Sequence, residues 1–297
     1  MNIYNAVGSN KRKTIFIMLL FVLFITTLGF VYGKASGGLA PSYAVIAFIF
    51  AIVSTVGSYY FSDKLVLATA NAQEITEADN PELFHIVENL TIADGLPMPK
   101  IYISQDPSPN AFATGRDPKH AVVCCTTGIL EKLNKAELEG VIAHELSHVK
   151  NYDIRVMAVV AILVGFVAIL ADIFMRSLWF RNSDDNDNRG NGIFLILGIV
   201  FAIISPIIAV LIQLAISRKR EFLADASGAL LTRYPAGLAS ALEKISSDPH
   251  PTKSATTATA HLFIVNPFKG KESGAWISSL FNTHPPIQER IKILREV

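Results

Sequence analysis

Four long uncharged or nearly uncharged runs constrain this chain more than any other feature. Residues 15–31 and 43–61 carry no charge, 156–174 is interrupted only by Asp172, and 193–216 contains Pro206. A bilayer core of about 30 Å is crossed by about 20 helical residues, and each run is near that length. Composition agrees: 51% of residues are hydrophobic and 17% charged, against about 25% charged in an ordinary soluble domain. The reading is a multi-pass α-helical membrane protein with a mixed α/β catalytic part. Lys11, Arg12 and Lys13 precede a first run too long for a signal-peptide core, so it reads as a retained span.

The runs divide the chain into a transmembrane hairpin over 1–61 (spans about 14–33 and 43–61), a polar segment over 62–153, a second hairpin over 154–216 (spans about 154–175 and 193–216) and a polar tail over 217–297. Lys and Arg near the span ends place the N-terminus, both polar segments and the C-terminus on the cytoplasmic side. Arg176, Arg181 and Arg189 on the outer loop are the feature that argues against this orientation. The net charge of +1 gives no bulk attraction to nucleic acid. Cys124 and Cys125 are neighbours, too close for ordinary disulfide geometry, and read as small buried hydrophobes.

In the polar segments, 81–93 has apolar residues at helical spacing and Gly95 as a stop. Residues 100–104, 110–114 and 121–126 suit strands. Asn134 followed by Glu137 makes a capping-box pattern before a helix running to about Asn151. In the tail, 217–231, 238–245 and 285–294 read as helices, and 248–260 as a loop.

The capped helix carries His144-Glu145-Leu146-Ser147-His148. Residues four apart on a helix differ by about 40° in direction and about 6 Å in height, so two imidazoles converge on one metal ion. Glu145 is turned about 100° away, where it can hold a water and take its proton. Glu221 and Asp225, also four apart, follow the fourth run. Two histidines and a glutamate with an open fourth position suit catalytic Zn2+, one per chain. Asp225 is then the outer carboxylate that orients a ligand histidine, His144. Topology supports the set: two spans separate His148 from Glu221, which returns both to one face. Charges at Lys135, Glu137, Glu139 and Lys150 put the site at the membrane surface rather than at the bilayer centre.

With these residues the chain resembles the HtpX family of bacterial membrane zinc metallopeptidases, related to the CaaX prenyl endopeptidases. The resemblance spans nearly the whole chain, through Leu96-Pro97-Met98-Pro99-Lys100, Asn110-Ala111-Phe112-Ala113-Thr114-Gly115, Thr127-Gly128-Ile129-Leu130, the stretch from Glu139 to His148, Ser217-Arg218 and Thr283-His284-Pro285-Pro286. It implies a gluzincin-like peptidase fold in the bacterial cytoplasmic membrane. It implies that Asn110, Ala111, Phe112, Ala113 and Thr114 form an edge strand pairing with substrate backbone, and that His284 or Arg290 stabilises the oxyanion. Its implied substrates are misfolded or damaged membrane proteins. His85, His120, His250 and His261 belong to no motif and read as non-catalytic. Four alternatives compete: an intramembrane zinc protease, a non-haem iron oxygenase using two His and one carboxylate, a non-enzymatic metal-binding scaffold, and a true CaaX endopeptidase. The last has little room here, since only about four spans of ~20 residues fit beside the polar segments.

Overall fold

A computed structural model describes residues 3–35, 38–181, 218–250, 252, 262–264 and 285–297. Helices and strands are numbered here in chain order among those residues. The first run lies within α1 (Ile3–Ala35) and the second within α2 (Ala40–Thr69). Both contain stretches long and apolar enough to cross a membrane. Their outward faces are apolar and open: Leu19, Leu23, Ile46 and Val53 are each more than half exposed. In water such a surface would be a large apolar patch; against lipid it is matched. Their inward faces pack on α6 (Asp153–Arg181), which covers the third run, through Ile17, Phe21, Ala51, Val160 and Leu163. Gly29 lets α1 and α2 touch, because a Cβ there would lie 2.4 Å from the Cβ of Ala47. Small residues at such crossings replace the hydrophobic driving force that lipid removes. The fourth run and the polar stretch at 182–191 lie outside the described residues.

The polar segments share a separate core. A four-stranded sheet has the order β1 (Ala72–Glu74), β2 (Lys100–Ser104), β4 (Ala121–Thr126), β3 (Ala111–Gly115). β2 and β4 are parallel, and the two outer pairings are antiparallel. β4 is buried at every position, Cys124 and Cys125 included, and burial pushes the Cys124 thiol up to about 12. β3 is the edge strand beside it, with Ala113 opposite Val123. The short β1 and the helix α4 (Thr127–Lys132) are elements that periodicity alone did not reveal.

Helix α3 (Pro81–Asp94) is capped by Asn80 and ended by Gly95 in a left-handed conformation. Helix α5 (Lys135–Lys150) opens with the full capping box, Asn134 and Glu137 each accepting from the other's backbone N–H. It runs through the middle of the core, with Leu138, Val141, Ile142, Leu146 and Val149 buried. Against it pack α7 (Arg218–Thr232) and α8 (Pro235–Ser246), and α9 (Ile287–Glu296) lies on α7 and α8. A two-residue turn, Asn151 and Tyr152, separates α5 from α6, with Tyr152 at φ 60.

Candidate metal centre

His144 and His148 lie on one face of α5, and Glu221 enters from the first turn of α7. The two Nε2 atoms are 3.2 Å apart. Glu221 places one oxygen 3.7 Å from His144 Nε2 and the other 3.6 Å from His148 Nε2. A tetrahedral ion with bonds of about 2.0–2.1 Å holds its ligand atoms roughly 3.4 Å apart, so the three side chains fit such an ion. All three are buried. Close approach of the helices makes this possible: a Cβ on Gly228 of α7 would stand 3.1 Å from the backbone nitrogen of His144.

Each histidine is held from behind. Asp225 Oδ1 lies 2.9 Å from His144 Nδ1. Arg290 of α9 grips Asp225 in a fork, donating from Nε at 2.8 Å and from Nη2 at 2.6 Å. Burial works against the Asp225 charge, but Arg290 and His144 outweigh it and hold the carboxyl down at about 2. Asp153 Oδ2 lies 3.1 Å from His148 Nδ1, and Arg220 donates to the other oxygen at 2.9 Å. Burial lowers the proton affinity of His148, yet Asp153 and Glu221 prevail, and without metal its pKa stands at about 9. A carboxylate on Nδ1 turns the imidazole so that Nε2 presents its lone pair to an ion.

Glu145 sits on the adjacent face of α5. Its Oε2 accepts the backbone N–H of Ala113 at 3.0 Å. Burial pushes its carboxyl above the usual carboxylate range, against the pull of the nearby imidazoles and this hydrogen bond. A small cleft opens beside it, lined by Phe112, Ala113, Met157 and Phe263 as well as the histidines. Asn110, directly before β3, accepts the backbone N–H of Ile264 at 3.0 Å through its side-chain oxygen.

Of the residues singled out in the sequence, the structure brings together His144, Glu145, His148, Glu221, Asp225, Arg290 and the strand from Ala111 to Thr114. Arg290 is almost fully buried and spends its fork on Asp225. His284 and His261 lie outside the described residues. His85, His120 and His250 each pair with a nearby acid and stand away from the cleft. Sequence reasoning did not find Asp153 or Arg220. The signals were present: an aspartate five residues past His148, and an arginine directly before Glu221.

A model of peptidase family M48 matches residues 77–297, which include all of these groups. The chain belongs to peptidase family M48. It is 46% identical over 296 residues to the protease HtpX homolog of Dictyoglomus turgidum, covering 98% of this chain and 94% of the relative. It is 45% identical to the Tropheryma whipplei homolog over 295 residues, covering 99% and 98% of the two chains. Against the Ligilactobacillus salivarius homolog it is 44% identical, covering 99% and 100%. The crystal structure of S. mikatae Ste24p shares the fold with a TM-score of 0.51 at 17% identity, over 94% of this chain. The present chain spans 62% of the length of that structure. M48 membership makes this protein a metallopeptidase, and the match to HtpX homologs along nearly the whole chain, with two helices long and apolar enough to cross a membrane, makes it a membrane one.

Proposed function

We propose that this M48 peptidase is a zinc-dependent endopeptidase that hydrolyses misfolded or damaged membrane proteins at the cytoplasmic face of the bacterial plasma membrane. The observation that carries this reading is the buried His144, His148 and Glu221 triad at tetrahedral spacing, with Glu145 beside it. The proposed organisation is a membrane hairpin over 1–61, a catalytic segment over 62–153, a second hairpin over 154–216 and a catalytic segment over 217–297. The α6 helix, at about 1.5 Å per residue, is long enough to form the third span.

His144, His148 and Glu221 would hold one zinc ion. When bound, zinc supplies a Lewis acid and brings the pKa of water in its open position toward ~7. Glu145 takes the proton of the attacking water and delivers it to the leaving amine. A carboxyl raised by burial is better matched to that shuttle than an ordinary one. The edge strand from Asn110 to Thr114 pairs with the extended substrate backbone, in the manner of an added strand. The N–H of Ala113, now on Glu145, ties that strand to the base. Asp225 orients His144, and Arg290, committed to Asp225, acts as a positioning group. Arg290 also lines the cleft, with its Nη1 outside the fork on Asp225, so either His284 or Arg290 would stabilise the oxyanion.

The test compares wild type with Glu145→Ala in detergent, reading cleavage of an unfolded protein and metal content together. The expected result is about one zinc in each and a loss of roughly 10²–10⁴-fold in rate for the variant. Equal cleavage by both would remove Glu145 from the reaction. Zinc in both with cleavage in neither would favour a binding scaffold. Activity that required iron and oxygen would favour an oxygenase.

A further inference from the structure

The junction between α5 and α6 is gripped by the first helix. Asn10 of α1 is buried at 2% exposure. Its amide nitrogen donates to the carbonyl of Asn151 at 2.9 Å and to Asp153 Oδ1 at 2.7 Å. The same carboxylate oxygen receives Arg220, and its other oxygen faces His148. The next residue, Lys11, lies over the ring of Tyr152, 4.6 Å from its centre. Two donors on Oδ1 fix the rotation of the carboxylate, so that Oδ2 stays on Nδ1 of His148. Packing alone does not call for an amide there, since a buried amide is costly unless its hydrogen bonds are met.

We infer that Asn10 is a positioning residue of the metal centre. Through Asp153 it sets the orientation of His148, so the first helix is part of the hydrolytic site as well as a membrane anchor. This rests on the zinc-centre reading above. A direct carboxylate partner of a ligand histidine affects metal affinity by about 10–100-fold. One step further out, the effect of Asn10 is expected at about 3- to 10-fold.

The experiment uses the full chain in detergent micelles. Zinc affinity is measured by competition with a chelator, and the cobalt-loaded protein gives the absorption spectrum of the ligand field. Asn10→Leu should weaken zinc binding by that factor and shift the cobalt bands. Thr14→Val should change neither; it removes a buried hydroxyl one turn away that, among the described residues, donates to the Asn10 backbone carbonyl. In an Asp153→Ala background, adding Asn10→Leu should cost no further affinity, because the two act in series. Wild-type affinity and spectrum in Asn10→Leu, or losses that simply add in the double variant, would overturn the inference while leaving the zinc centre intact. A wild type that binds no metal would overturn both. If Asn10→Leu does not fold, Asn10→Ser is read by the same outcomes.

Discussion

At the residue scale, the centre is two relays that meet: Arg290, Asp225 and His144 from one side, Arg220, Asp153 and His148 from the other. Removing one member of a buried, bidentate pair leaves its partner's charge uncompensated. Arg290→Leu is therefore expected to destabilise the fold by about 3–5 kcal/mol, read as a lowered melting temperature. Asp225→Asn, which keeps the shape, should chiefly weaken zinc binding, by about 10–100-fold in a chelator competition. The pH dependence has a definite sign. In metal-free protein the His148 pKa stands at about 9, above its unfolded value of about 6.5. Its contribution to stability is thus fully present below about pH 6.5 and is lost as pH rises through about 9. Zinc needs the neutral imidazole, so its affinity should run the opposite way and rise across that window. A zinc titration at pH 6.5 and 9 that gave equal affinities would contradict the relay on His148.

At the element scale, α5 is the organising helix. Its N-terminal cap satisfies backbone donors that have no partner within the helix, and Asn134→Ala should cost about 1 kcal/mol of stability with little effect on metal binding. The crossing of α5 and α7 is the more sensitive contact. Gly228→Leu would force α7 away from the His144 backbone and withdraw Glu221. Zinc affinity should then fall further than thermal stability does, a comparison made by measuring both on one preparation. The elements were legible in the sequence where apolar residues recur or run together: α3, β2 and α5 match their periodic patterns, and β4 its continuous apolar run, to within a residue or two. β1 and α4 were not, because a three-residue strand and a six-residue helix each span fewer than two repeats of their own period. They form because neighbours across space supply their hydrogen bonds.

At the scale of the whole molecule, a bundle of long apolar helices and a catalytic core are joined at the start of α6, where Asp153 serves both. The proposed orientation is open to labelling with a membrane-impermeant maleimide. Both native thiols are buried, and burial holds Cys124 protonated well above neutral pH, so the background should be low. Gly38→Cys, between the first two helices, should label in intact cells, and Lys135→Cys only after permeabilisation. The reverse pattern would invert the topology. The sequence by itself determined the membrane class, the capped helix with its His-Glu-Leu-Ser-His segment, and the pairing of Glu221 with Asp225. These follow from hydropathy and from 3.6-residue periodicity, which are local. Only the tertiary structure decided that Asp153 and Arg220 stand behind His148, that Arg290 is committed to Asp225, and that Asn10 of the first helix reaches the same carboxylate. Those contacts join residues as far apart as 10 and 153 in the chain, and a buried charge takes its partners from whatever the fold brings within hydrogen-bonding distance.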